Sequence, residues 1–169
     1  MYSLGIDIGS SSVKVSLLDI KSGSCCCSST NPKTEAPIKA PQKGFAEQDP
    51  EMWWGFICDG IKDIASQFNM AEVVSIGITY QMHGLVAVDK DVKPVRDSII
   101  WCDSRAVALG AEALENIGYD KCMDHLLNSP GNFTASKLAW VKRNEPELYA
   151  KIWKFMLHGE YVASKLLGS

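Results

Sequence analysis

The sequence predicts a layered α/β domain on three observations. Short apolar strand-like runs open the chain, an amphipathic helix follows a proline-marked loop, and strand-like and helical runs then alternate. Residues 2–8 (YSLGIDI) and 13–20 (VKVSLLDI) are joined by Gly9-Ser10-Ser11-Ser12, the pattern of a hairpin with a small, polar turn. A second turn over 21–24 leads to a third strand over 24–30, so the opening is three antiparallel strands. The segment from 31 to about 48 carries Pro32, Pro37, Pro41 and Gly44. It is long for a structureless connection, which marks it as a functional or packing loop. Asp49-Pro50 is a helix start, a capping acid followed by proline at the first helical position. Trp53, Ile57, Ile61, Ile64 and Phe68 then recur at steps of four, four, three and four, which is one face of a helix. On that spacing Trp53-Trp54 is a core-and-rim pair.

Two further strand-like runs, 73–79 and 85–88, flank Gln81-Met82-His83-Gly84. A turn over 89–94 precedes a short β-like run over 98–101, and from Asp103 to about Asn116 the pattern is helical and alanine-rich. The remainder is mostly helical: Thr134 is the expected N-cap of a helix carrying Leu138 and Val141, Asn144 ends it and Pro146 starts the next. Residues 152–156 read as a strand, followed by a last helix ending near Gly168.

Composition excludes several classes. A chain of 169 residues with 46% hydrophobic and 22% charged residues has the make-up of a globular protein with a real core. A net charge of −3 and the lack of a basic cluster favour neither nucleic acid nor a membrane surface as partner. No apolar run approaches the roughly 18–20 residues of a membrane span, and the N-terminus enters a strand with no leader pattern, so a cytoplasmic location is expected. Cys25, Cys26 and Cys27 are consecutive and Cys58, Cys102 and Cys122 scattered, with no C-x-x-C spacing for zinc. Neighbouring cysteines on a strand point to opposite faces, so reduced thiols are the expectation.

Three places hold residues suited to chemistry. Asp7 precedes Gly9, Ser10, Ser11 and Ser12, with Lys14 on the return strand. Such a turn offers successive backbone N–H groups, hydroxyls and a residue small enough for close approach, which is what a phosphate requires. Asp7 would repel bare polyphosphate and fits there if Mg²⁺ or its water shell intervenes. The other reading is an ordinary serine-rich turn; neither G-x-G-x-x-G nor G-x-x-x-x-G-K-[ST] occurs. Met82-His83 closes an apolar strand and offers one apolar and one polar contact to a small polyol, or His83 simply makes a local hydrogen bond. Trp101, Asp103 and Arg105 lie within five residues. The carboxylate and guanidinium either fix sugar hydroxyls or pair with each other to cap the helix. His125 and His158 stand isolated, and no metal cluster is expected around them.

Five stretches, GIDIGSSSVK, FAEQDPEMWW, SIGITYQMHGLVAVDKD, IIWCDSRA and NFTASKLAWVKRNEPELY, resemble in order and spacing the FGGY carbohydrate kinases, and within them the xylulokinases. The resemblance implies an RNase H-like ATPase domain of the actin, sugar kinase and Hsp70 type, with a mixed sheet and flanking helices, the first of two that close over substrates. It implies ATP and Mg²⁺ as cofactors, Asp7 organising the metal through water, and Gly9, Ser10, Ser11, Ser12 and Lys14 as the first phosphate segment. Met82 and His83 match the sugar-contacting pair, and Trp101 a substrate-facing tryptophan. Asp103 is placed with the substrate-binding residues, in a segment shared with Arg105 whose role the resemblance leaves open. The family's W-N-D-G-R is here Trp101-Cys102-Asp103-Ser104-Arg105. The implied reaction is in-line transfer of the ATP γ-phosphoryl group to a sugar hydroxyl, most simply that of D-xylulose, with a homodimer as the assembly of the full-length enzyme. The catalytic aspartate, adenine segments and second domain are expected beyond residue 169, so residues 1–169 alone are expected to be inactive. A kinase for another ketose, a gluconate or a deoxysugar, or an actin-like module without enzymatic activity, are the alternatives.

Overall fold

The computed structural model describes residues 1–168, which divide into two compact units. The first comprises residues 1–37, 50–81 and 159 onward; the second comprises 38–49 and 82–158.

The first unit is built on a four-stranded sheet. β1 (Tyr2–Ile8), β2 (Val13–Asp19) and β3 (Cys25–Asn31) are the three expected opening strands, and they pair antiparallel in sequence. One short strand of the second unit, β4 (Glu47–Gln48), intervenes in numbering before β5 (Val73–Tyr80) pairs parallel to β1. The order is therefore β3-β2-β1-β5. Parallel pairing of β5 with β1 needs a crossover, and α1 (Pro50–Ala65) supplies it, beginning at the proline the sequence marks. Strand alternation sends Leu4, Ile6, Ile8, Val13, Val15 and Leu17 to one buried face, where Trp53, Ile57 and Ile64 of α1 are also buried. Trp54 is half-buried, as a rim residue should be. Phe68 falls beyond the helix end and packs edge-on against Tyr2 at 5.8 Å. The same alternation leaves Asp7, Lys14 and Thr79 side by side on the opposite, exposed face, with Asp7 in register with both of the others.

The second unit is held by two short ladders and a helical layer. β4 pairs with β7 (Ser98–Ile99), and β6 (Val86–Val88) pairs with β8 (Lys154–Met156). The helices are α2 (Val107–Ile117), α3 (Tyr119–Leu126), α4 (Thr134–Asn144) and α5 (Pro146–Tyr149). Leu85, Ile99 and Val141 form its apolar centre, with Leu138, Trp140, Leu148, Tyr149 and Ile152 packed around them. A last helix, α6 (His158–Leu167), ends before Gly168 as expected. From Gly159 on it belongs to the first unit, where Tyr161 and Lys165 both donate hydrogen bonds to Glu51 of α1.

Two boundary expectations are corrected. The helix expected from Asp103 begins at Val107, because the residues before it form turns: Asp103 N–H bonds to Ile100 O and Val107 N–H to Ser104 O. Thr134 is not an N-cap; Phe133 holds that position, and the Thr134 hydroxyl instead donates to Gly84 O at 3.0 Å.

Candidate functional site

The candidate phosphate turn, Gly9–Ser12, lies in the first unit. Gly9 N–H donates to Ser12 O at 3.0 Å, closing the turn. A Cβ at Gly9 would come to 3.0 Å from that same oxygen, so the turn is tight enough to select glycine. The loop after β3 braces it: Ala36 N–H donates to Ser11 O at 2.7 Å, and Ser11 Oγ to Glu35 at 3.3 Å. The first part of the long loop is thus a packing segment for the turn. Asp7, Gly9, Ser10, Ser11, Ser12, Lys14 and Thr30 line an open depression of about 430 Å³. Its lining brings one carboxylate and one ammonium, paired across adjacent strands, together with the glycine and serines of the turn. No group of three or more His, Cys, Asp or Glu placed to hold a metal occurs among the described residues. A lone carboxylate beside phosphate donors nevertheless fits Mg²⁺, which keeps most of its waters and is bound through few carboxylates plus substrate phosphates.

The other candidate residues lie in the second unit. His83 has φ 62°, a left-handed conformation that few non-glycine residues adopt, though histidine is among the more tolerant. Its ring is stacked on Phe133 with centroids 4.1 Å apart and planes 19° from parallel. Burial, and then the nearby Lys137 ammonium, hold its pKa below the ordinary value, so the imidazole is neutral at pH 7. A neutral imidazole donates at one nitrogen and accepts at the other, which matches a sugar hydroxyl that does both. Met82 beside it is 64% exposed, and Trp101 53% exposed. A thioether and an indole left open to solvent offer apolar surface that a sugar's carbon face could cover.

Asp103 is different, and the expectation that it binds substrate is revised. It is fully buried. Its carboxylate accepts from Ala46 N–H at 2.6 Å, from Arg105 N–H at 2.9 Å, and bidentately from the Arg105 guanidinium at 2.7–3.0 Å. These bonds occupy its lone pairs, so Asp103 shapes the loop that carries Trp101. Arg105 is equally committed: it also pairs with Glu47 at 2.7 Å and lies over the Phe45 ring at 3.7 Å. Arg96 then bridges Glu47 and Glu145, completing a row of five alternating charges. The second part of the long loop, with Phe45, Ala46 and Glu47, serves this network.

Lys137 and Asn132, which were not singled out from sequence, and Thr134, which was expected only as an N-cap, surround the His83 turn. Lys137 is fully buried on α4, and Nζ donates to His83 O at 2.8 Å and Asn132 O at 2.6 Å. Desolvation brings its pKa down from 10.5 to about 8, against the pull of Asp103. The signal was available, because Lys137 lies four residues before Val141 and therefore on the buried stripe of the helix. His158, given no role from sequence, is buried beneath Gly84 with Nε2 3.1 Å from Ser98 Oγ.

Comparison with known proteins decides the family. The FGGY family of carbohydrate kinases, N-terminal domain, matches residues 2–169. The chain belongs to that family. It is 33% identical over 169 residues to a xylulose kinase of Staphylococcus xylosus, covering 99% of this chain and 34% of the relative. It is 34% identical over 168 residues to a xylulose kinase of Escherichia coli K12, again covering 99% of this chain and 34% of the relative. The crystal structure of a xyloylose kinase from Brucella ovis superposes with a TM-score of 0.86 at 29% identity, over 97% of this chain and 34% of that one. This FGGY chain therefore has the RNase H-like fold of sugar kinases, and spans about a third of the length of the relatives it matches. No helix among its described residues is long and apolar enough to cross a membrane.

Proposed function

We propose that this chain is the sugar-recognising and first phosphate-binding part of an ATP-dependent kinase that converts D-xylulose to D-xylulose 5-phosphate. The observation that carries the reading is the turn at Met82-His83. A neutral imidazole in a left-handed backbone position is held on Phe133, with an exposed methionine beside it. Strain of that kind persists where the surroundings over-determine it and it serves recognition. The relatives named xylulose kinase, at 33% and 34% identity, support D-xylulose as the acceptor.

In this reading Trp101 packs against the sugar's carbon face while His83 pairs with its hydroxyls. Asp7 orients the water shell of Mg²⁺, and Gly9, Ser10, Ser11, Ser12 and Lys14 receive phosphate oxygens. Mg²⁺ supplies charge neutralisation on the transferring phosphoryl group. The general base and the adenine pocket are assigned to no residue described above. ATP as donor agrees with the cytoplasmic location expected from the sequence.

A coupled ADP-release assay on the complete kinase, with D-xylulose, L-ribulose, gluconate and glycerol as acceptors, tests the proposal. Turnover should require Mg²⁺ and be greatest with D-xylulose. Preference for another acceptor moves the assignment elsewhere in the family, and acceptor-independent ATP turnover alone contradicts a sugar kinase.

A further inference from the structure

We infer that Lys137 is the positioning residue of the sugar wall, a buried ammonium that sets the His83 turn and the Trp101 loop in register with each other. The inference deepens the proposed function and rests on it for the identity of the ligand.

A left-handed residue turns its carbonyl away from the local ladder, and a buried carbonyl must find a donor. His83 O finds Lys137 Nζ at 2.8 Å, and the next carbonyl, Gly84 O, finds Thr134 Oγ1 at 3.0 Å. Thr134 and Lys137 are three residues apart, hence neighbours on one face of α4. That face therefore grips two successive carbonyls of the turn. Beneath it, the imidazole of His158 fills the space that any side chain at position 84 would need, since a Cβ there would lie 1.7 Å from His158 Cε1. The turn is pinned from two sides.

The second bond from Lys137 runs to Asn132 O at 2.6 Å. Asn132 Nδ2 donates in turn to Asp103 O and, at 3.4 Å, to Trp101 O. One lysine thus joins the backbone of His83 to the backbone around Trp101 through a single intervening residue. Methionine, of similar length, would fill the space and supply no donor. A buried ammonium is a costly way to fill an apolar layer, so its two directed bonds to carbonyls are what the position requires.

Lys137 touches no sugar here and acts through His83, which gives a test that a merely structural lysine would not pass. In the complete kinase, Lys137→Met should raise the KM for D-xylulose about ten-fold or more and leave the KM for ATP within about two-fold. Because much of the effect passes through His83, adding Lys137→Met to His83→Ala should cost clearly less than Lys137→Met costs alone. Thr134→Val, a gentler change that loses only the Gly84 bond, should act in the same direction by about two- to five-fold, and it decides the matter if Lys137→Met does not fold. Hydrogen exchange on residues 1–169 gives a reading that needs no sugar. Amides 82–85 should exchange about ten-fold faster in either variant while those of β1 and β2 hold their rates.

Equal losses for sugar and ATP, additive costs in the double variant, or unchanged exchange at 82–85 would overturn the inference. Wild-type enzyme that phosphorylates no ketose would overturn the proposed function instead, and the exchange rates would still decide whether Lys137 sets the turn.

Discussion

Replacing Asp103 with alanine separates a structural carboxylate from a sugar ligand. The side chain is fully buried and its partners are Ala46 N–H and the backbone and guanidinium of Arg105, whose own side chain is 1% exposed. Its loss leaves a buried N–H without an acceptor, worth about 1–3 kcal/mol. It also breaks a buried ion pair, worth about 3–5 kcal/mol. The two overlap, since Glu47 still faces Arg105 at 2.7 Å and retains part of the compensation. A net loss of about 4 kcal/mol follows, and for a chain of this size that lowers Tm by roughly 8–16 °C. Asp103→Asn keeps the shape but not the charge and should fall between alanine and wild type. Thermal unfolding of residues 1–169 followed by circular dichroism reads the effect. A Tm within about 2 °C of wild type for Asp103→Ala, together with a raised sugar KM in the complete kinase, would return Asp103 to the substrate and refute the reasoning.

Under the proposed role of Asp7, Asp7→Ala in the complete kinase should lower kcat by about a hundred-fold with little change in sugar KM, because a metal oriented there would act on charge developing in transfer. Near-normal kcat at saturating Mg²⁺ and ATP would leave Asp7 as an ordinary strand-end residue. Gly84→Ala drives a methyl into the His158 ring, 1.7 Å from Cε1, and should cost about 1–3 kcal/mol or more, read as a lower urea midpoint. Unchanged stability would mean that the ring moves freely. Lys137 gives a pH signature: its folded pKa of about 8 lies below the ordinary 10.5, so the unfolded chain binds the extra proton between those values. Its contribution to stability is greatest above 10.5 and declines as pH falls through 8. Wild type should therefore gain about 2–3 kcal/mol relative to Lys137→Met between pH 7 and pH 10, measured by urea unfolding of both. A gap that does not vary with pH contradicts that pKa.

Much of the first unit was legible because its periodicities are clean. Alternation in 2–8 and 13–20 places Leu4, Ile6, Val13 and Val15 on one face, and the proline at 50 marks the start of α1. The second unit was legible only in part, since its elements are short and its order comes from polar contacts between segments distant in sequence. Nothing near Asp103 announces that Ala46 N–H will reach it, nor that Phe45 will lie under Arg105. Thr134 carries the signature of an N-cap, and tertiary context redirects its hydroxyl to Gly84 O. Met82, His83 and Trp101 stood out in the sequence as residues suited to chemistry and took their sugar-facing roles from the resemblance, whereas the left-handed φ of His83 and its clamp needed coordinates.

The measurement that bears most directly on a sugar wall at Met82-His83 is the pair of affinities of His83→Ala in the complete kinase, with thermal stability alongside. Loss of a hydrogen bond to a sugar hydroxyl should cost about 1–3 kcal/mol, roughly five- to more than a hundred-fold in kcat/KM for D-xylulose. ATP affinity without sugar should hardly move, and Met82→Ala should weaken sugar in the same way through lost apolar contact. Equal losses for sugar and ATP that track a fall in Tm would contradict the assignment and leave His83 as a residue of the fold.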